Sequence, residues 1–286
     1  MGGIGPSRAV TADVPTKEMA RLYRFAIEVA RAAGAVIREQ VGRAVDVHSK
    51  GLRDVLTEVD LAAERTIVEA IRVQYPEHDI LTEETPAGER RSRYQWVIDP
   101  LDGTGNFVRG YPCFSTSVAL TQDDRPIVGA VYDPMGDHLF AAHLGGGATL
   151  NGRALQVSPV EVMLDTMIGM DWARDPPTRE RALHAIERLA PACGTLRVCG
   201  SAALGICYVG AGWWDAYWHL SMQPWDAAAG ALIVREAGGQ ATDLAGQRWR
   251  LQSGPLLVSN GRLHGALIAY VSGSREAPAA GSGGPA

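Results

Sequence analysis

Between positions 17 and 41, apolar residues recur at Leu22, Phe25, Val29, Ala33 and Val36/Ile37. That three-to-four spacing predicts an amphipathic helix. A second helix is predicted over residues 59–75, with Leu61, Ile67, Val68 and Ile71 inward and Pro76 ending it. Residues 94–98 read as a short buried strand. Strand-like stretches follow at 114–121, 126–132 and 138–144, separated by Asp-Asp, Asp-Pro-Met-Gly and Gly-Gly-Gly turn chemistry. The first half is therefore α+β.

The second half alternates. Strands are expected at 166–170, 196–199, 215–219, 240–243 and 256–259, and helices at 178–189, 201–209, 225–237 and 262–271. Alternation of this kind predicts a sheet covered by helices. The division between halves falls near 150–160, giving an α+β part at 17–155 and an α/β part at 156–272. Residues 1–16 and 273–286 are rich in Gly, Pro and small residues and are expected to be disordered tails.

With 46% hydrophobic and 21% charged residues, the chain has the make-up of a globular enzyme rather than of a fibrous or disordered protein. The formal charge is −5 and there is no basic block, so nucleic acid is not expected as a partner. No apolar run approaches 18 residues, so no membrane span is expected. No charged-then-apolar leader opens the chain, and a cytoplasmic location is expected. Cys113, Cys193, Cys199 and Cys207 form no C-x-x-C pair, which points to buried thiols rather than a zinc site or disulfides.

The most informative segment is Trp96-Val-Ile-Asp-Pro-Leu-Asp-Gly-Thr104. A buried strand ends in two aspartates, and Pro100, which has no N–H to donate, is expected to stop its ladder. Gly103 permits a tight turn. Asp99, Asp102 and the Leu101 carbonyl can then aim at one point, a hard oxygen set suited to Mg²⁺ or Mn²⁺ rather than zinc. An ordinary Asp-Gly turn would look the same. Other acids have plain readings too: Thr57-x-x-Asp60 as a capping box, Asp226 as a complement to a helix start, Glu83-Glu84 as a solvated loop.

Taken in order, these pieces resemble the inositol monophosphatase family of magnesium-dependent phosphatases. The resemblance spans about residues 20–270. It is carried by Asp54-Val-Leu-Thr-Glu-Val-Asp60, Ile80-Leu-Thr-Glu-Glu84, the D-P-L-D-G-T-G-N-F segment from Asp99, Gly200-Ser-Ala-Ala203 and Trp225-Asp-Ala-Ala-Ala-Gly230. It implies an αβαβα sandwich with an antiparallel N-terminal sheet and a mixed C-terminal sheet. It implies that Glu83, Asp99, Asp102, Asp226 and the Leu101 carbonyl hold two or three Mg²⁺ ions. Asp60 and Thr104 would orient the attacking water, with Glu83 also serving catalysis. Gly103, Thr104, Ser201, Ala202, His219 and Asp226 would contact the substrate.

The implied activity is hydrolysis of a small polyol or sugar phosphate, inositol 1-phosphate by default, in a homodimer. Fructose 1,6-bisphosphate, histidinol phosphate and adenosine 3′,5′-bisphosphate are the substrates of related folds. A negatively charged protein needs a local inversion of charge to take a phosphate monoester, and divalent cations would supply it. A non-catalytic binding protein on the same scaffold is the rival, but it should have lost one of these residues, and all are present. Three positions depart from inositol-type members. Gly105 replaces a second Thr, Lys50 is offset by about one residue from the usual Lys, and His219 stands where a Glu accepts hydrogen bonds from sugar-alcohol hydroxyls. His219 is accordingly expected to alter the choice of alcohol.

Overall fold

The computed structural model describes residues 14–86 and 88–273; the expected tails at 1–16 and 273–286 lie outside the described residues except for 14–16 and 273. Helices α1 (Thr16–Gln40) and α2 (Glu58–Gln74) are the two amphipathic helices predicted from periodicity, except that Leu61, expected inward, is exposed, because the buried stripe of α2 runs through Val59, Ala63, Ile67 and Ile71. Between them lies an unpredicted hairpin, β1 (Val47–Gly51) and β2 (Asp54–Thr57). Every residue of β1 is exposed, so it carries no apolar alternation to read.

A short strand β3 (Asp79–Thr82) pairs in parallel with β4 (Tyr94–Asp102), and a one-turn helix α3 (Thr104–Val108) follows. Strands β5 (Ser115–Gln122), β6 (Arg125–Asp133), β7 (His138–His143), β8 (Ala148–Leu150) and β9 (Arg153–Ala154) then meander antiparallel. The result is a seven-stranded sheet in the order β3-β4-β5-β6-β7-β8-β9, antiparallel except at its β3–β4 edge. Pro100 does not end β4. The strand runs on to Asp102, and its ladder to β5 is irregular between Asp99 and Asp102, where a residue without an N–H is tolerated.

The second half supplies β10 (Met167–Met170), α4 (Pro176–Leu189), β11 (Thr195–Arg197), α5 (Ala202–Gly210) and β12 (Ala216–His219). After these come α6 (Pro224–Glu236), β13 (Gln240–Thr242), β14 (Leu256–Ser259) and α7 (His264–Ser272). Its five-stranded mixed sheet has the order β11-β10-β12-β14-β13.

Five layers result, because each sheet buries both faces. In β4, Trp96 and Ile98 face the layer of α1 and α2, while Val97 faces α5 and α6. In β12, Tyr217 faces α5 and α6, while Ala216 and Trp218 face α4 and α7. This is why these strands read as continuous apolar runs. The middle layer is thin by necessity. A Cβ on Gly129 of β6 would meet the Ala229 backbone at 2.9 Å, so the Ala-Ala-Ala-Gly run of α6 lets helix and sheet approach closely.

Candidate active site

The site forms where several elements end or begin together. β4 delivers Asp99 and Asp102 at its irregular end. Asp99 is buried, with Oδ1 accepting the Leu101 N–H at 3.1 Å. Gly103 turns the chain with φ 89°, and a Cβ there would meet the Cys113 and Gly200 carbonyls at 3.0 and 3.1 Å, so glycine is required twice over. Asp102 reaches across to the second half. Its carboxylate accepts the Ala202 N–H at 3.0 Å, the Ala203 N–H at 3.1 Å, the Ser115 hydroxyl at 3.1 Å and the Ser201 hydroxyl. It thereby satisfies the open donors at the start of α5. Burial pushes Asp102 up to about 6, with those donors pulling it back.

Asp60 is the third residue of α2. Its Oδ2 accepts the Thr57 N–H at 2.8 Å and the Thr57 hydroxyl at 2.5 Å, while Thr57 Oγ1 accepts from the Val59 N–H at 3.2 Å. The capping box read from sequence is thus real. The same carboxylate also has a tertiary partner, since Thr104 Oγ1 lies 3.0 Å from both Asp60 Oδ1 and the Leu101 carbonyl. Asp226, the third residue of α6, accepts the Gln223 N–H at 3.1 Å. Burial pushes it up to about 8, with the charges of Asp102 and Glu83 adding to the shift.

Glu83 follows β3. It is met by Lys50 Nζ at 2.9 Å and by Arg174 Nη2 at 3.5 Å. Lys50 also holds Glu84 at 2.9 Å, so Glu83-Glu84 is not a solvated loop and Lys50 does reach the site. Burial lowers the Lys50 pKa, but the two glutamates outweigh it and the net shift is upward. Glu84 is pushed up to about 7 by burial, against the pull of Lys50. Arg174 also pairs with Asp54 at 2.8 Å, and its carbonyl accepts from Arg53 Nη1 at 2.7 Å. These contacts tie the β1–β2 hairpin to the loop after β10.

A cavity of about 490 Å³ opens between these elements. Glu83, Asp99, Leu101, Asp102, Gly103, Thr104, Ala202, His219 and Asp226 all line it. Ser201 does not. It is fully buried and its hydroxyl is turned to Asp102, because a hydroxyl beside a buried carboxylate is drawn to that acceptor. His219 sits at the end of β12, and burial pushes it down to about 4, so the ring is neutral at physiological pH. Its Nδ1 accepts the Ser221 N–H at 3.1 Å.

Sequence reasoning missed Arg53, Trp172 and Arg174, which line the cavity from loops that carry no periodic signal. It also missed Asp171, whose carboxylate accepts the Gly200 N–H at 2.7 Å and the Tyr217 hydroxyl at 3.1 Å. That carboxylate is pushed up to about 6 by burial.

The donor chemistry fits hard divalent cations. Among the described residues no three His, Cys, Asp or Glu side chains are drawn into a ready-made cage. Glu83 is turned to Lys50 and Arg174. Asp99 and Asp226 make no ion pair within the described residues. Asp99 is held well above the usual carboxylate range by burial first, then by Glu83, Asp102 and Asp226. Buried carboxylates that raise one another in this way are relieved by positive charge, and oxygen donors select Mg²⁺-like ions.

The sequence model of the inositol monophosphatase family matches residues 18–276. The chain belongs to the inositol monophosphatase family. It is 41% identical over 250 residues to the Nus factor SuhB of Pasteurella multocida, covering 85% of this chain and 92% of that protein. The Nus factor SuhB of Escherichia coli K12 is 38% identical over 252 residues, covering 87% and 94%. Among solved structures, the Thermotoga maritima IMPase superposes with TM-score 0.83 at 34% identity, covering 89% of this chain and 97% of that one. The extragenic suppressor protein suhB of Bartonella henselae superposes with TM-score 0.85 at 30% identity, covering 89% and 99%. The layered fold of this family member is therefore the fold of its solved relatives.

Proposed function

We propose that this chain is a Mg²⁺-dependent phosphomonoesterase that hydrolyses small phosphate monoesters by direct attack of water. The observation that carries this reading is the clustering of Glu83, Asp99, Asp102 and Asp226 at one cavity, where the charges of Glu83 and Asp102 raise the proton affinity of Asp99 and Asp226, beside the Thr104–Asp60 pair. Glu83, Asp99, the Leu101 carbonyl, Asp102 and Asp226 would hold the cations. When bound, two or three Mg²⁺ or Mn²⁺ ions would neutralise the phosphate, acidify a water and stabilise the leaving alkoxide.

The chain's own groups do the rest. Thr104 Oγ1 donates to Asp60 Oδ1, which leaves the hydroxyl's lone pairs to accept a hydrogen from the attacking water. Thr57 fixes the Asp60 carboxylate from its other side, so the Thr104 hydroxyl has one orientation to adopt. The Asn106 and Phe107 N–H groups of α3 bond the Gly103 carbonyl, at 2.9 and 3.1 Å, which leaves those of Thr104 and Gly105 for phosphate oxygens. Asp102 takes the Ala202 N–H and holds the start of α5 at the cavity. Direct attack by water needs no serine or cysteine nucleophile.

Phosphate release from a panel of monoesters, with Mg²⁺ and with EDTA, tests the reaction class. Release that requires Mg²⁺ and is lost in Asp99→Asn and Thr104→Ala is expected. Survival of release in both variants would remove the site from consideration. The family default for the alcohol is inositol 1-phosphate, and a homodimer is its default assembly, checked by sedimentation. No helix among the described residues is long and apolar enough to cross a membrane. The name Nus factor belongs to the relatives that carry it. The expectation of no nucleic-acid partner rests on charge alone, and a mobility-shift assay with single-stranded RNA tests it.

A further inference from the structure

Asp171 is a buried carboxylate with no part in the chemistry proposed for the cavity it lines. It directly follows β10, where side chains alternate between two faces. Ile168 and Met170 pack into the layer of α4 and α7, and a Cβ on Gly169 would meet the Trp214 ring on the other face, so Asp171 is turned toward α5. There it meets the turn between β11 and α5. Its Oδ1 accepts the Gly200 N–H at 2.7 Å, its Oδ2 accepts the Tyr217 hydroxyl at 3.1 Å, and the Cys199 thiol lies 3.7 Å from Oδ2.

Two carboxylates, one from each half of the fold, share the donors of that turn. The Gly200 N–H goes to Asp171. The next donors, the Ser201 hydroxyl and the Ala202 and Ala203 N–H groups, go to Asp102. Three of the four groups that donate to Asp102 therefore come from residues 201–203, and the fourth is the Ser115 hydroxyl. Such donors aim a carboxylate only when their own backbone is held. Gly200 is where this backbone is held. It takes φ 76°, and a Cβ there would meet Asn106 Nδ2 at 2.8 Å. Asn106 Nδ2 in turn donates to the Cys199 carbonyl at 2.8 Å and to the Cys113 carbonyl at 2.7 Å. The turn is thus gripped by Asn106 from the first half and by Asp171 from the second.

We infer that Asp171 is a positioning residue for the divalent-cation site: by holding the Gly200 N–H it sets the donors of residues 201–203, and through them the direction of the Asp102 carboxylate. The inference rests on the reading of Asp102 as a cation ligand. Asp171 acts on the cations through Asp102 and does not touch them.

Thermal stabilisation by Mg²⁺ alone and Mg²⁺ titration of phosphate release together test this. Three substitutions separate the acceptor from the charge. Asp171→Asn keeps an oxygen within reach of the Gly200 N–H and loses the charge. Asp171→Glu keeps the charge and moves it by a methylene, and Asp171→Ala loses both. Removing a partner that orients a metal ligand weakens ion binding by about 10–100-fold. Asp171→Ala and Asp171→Glu should therefore raise the Mg²⁺ midpoint of both readouts about tenfold or more, and leave KM for the ester unchanged at saturating Mg²⁺. Asp171→Asn should restore most of the affinity for Mg²⁺, which a general loss of packing would not allow. Rescue by Asp171→Glu and not by Asp171→Asn would assign the effect to charge and overturn the inference. An unchanged Mg²⁺ midpoint in Asp171→Ala would overturn it too, and if that variant does not fold, the order of the Asn and Glu variants decides. A parent chain that Mg²⁺ stabilises but that releases no phosphate from any ester would overturn the phosphatase reading alone, since the melts still read Asp171. A parent chain that Mg²⁺ does not stabilise and that releases no phosphate would overturn both.

Discussion

Asp60 and Asp226 occupy the same local position, the third residue of a helix, and both accept a hydrogen bond from the backbone N–H three residues before them. Their fates differ. Asp60 is enclosed by Thr57 on one oxygen and Thr104 on the other. Asp226 has a single backbone donor and shares its cavity with Asp102 and Glu83, which help drive it to about 8. A helix start gives each carboxylate a favourable local field. The company each keeps across the fold then makes one a structural cap that orients Thr104 and the other an under-neutralised acceptor. A carboxylate's use is set by which of its lone pairs the protein leaves unsatisfied.

Truncating the pair gives the largest separation. Asp60→Ala and Asp226→Ala are both expected to lower phosphate release by about 100-fold or more, as loss of a water-orienting or ion-holding group does. In EDTA, thermal melts should separate them. Asp60→Ala should lose about 1–2 kcal/mol of stability with its cap, whereas Asp226→Ala should hold or gain stability because a buried, repelled carboxylate is removed. Equal destabilisation by both would break the distinction.

The next effect is in pH. Burial, with the charges of Asp102 and Glu83, lifts Asp226 from the usual carboxylate range to about 8 in the folded chain, so folding favours its protonated form. Its contribution is fully present below about 4 and is lost as pH rises through about 8. The metal-free protein should therefore melt lower at pH 8 than at pH 6. Asp226→Asn should flatten that fall, and Mg²⁺ should offset it. His264 works in the other direction. Burial pushes it down to about 4, with Thr242 Oγ1 and Ser259 Oγ as neighbours at 2.8 Å, so its contribution is present above about 6.5 and is lost as pH falls toward 4. His264→Gln should soften the acid limb of the same melting profile.

The smallest effects are at the edges of the comparison. Thr57→Ala removes one of the two groups fastening Asp60 and should cost about 1 kcal/mol by denaturant melts. Arg174→Ala breaks ion pairs of a 54% exposed side chain, and exposed pairs contribute about 0–1 kcal/mol. Stability should barely move, while amide exchange in the β1–β2 hairpin should speed up once its tie to the loop after β10 is cut. Unchanged exchange would show that Arg53 or Lys50 holds the hairpin alone.

Elements with a strong period were legible from the chain. α1, α2 and the β5–β7 meander lie within a few residues of their expected bounds, because each helix buries one stripe and each strand is a continuous buried run bounded by turn residues. The β1–β2 hairpin, β3 and α3 were not, since four- and five-residue segments with mixed exposure carry too few positions for a period. The floor of the site was legible because its chemistry demands carboxylates at fixed offsets from a turn glycine. Ser201 was misplaced, since its sequence neighbours do not reveal that Asp102, 99 residues away, takes its hydroxyl.

The sequence by itself determined the family, the layered architecture and the acidic floor, because periodicity and the D-P-L-D-G-T and W-D-A-A-A-G segments are local features. Only the tertiary structure decided that Lys50 and Arg174 meet Glu83, that His219 Nδ1 takes the Ser221 N–H, and that the Arg179 guanidinium lies over the Trp172 ring. Those facts depend on side chains far apart in the chain competing for the same few atoms, and that competition is resolved by packing rather than by spacing.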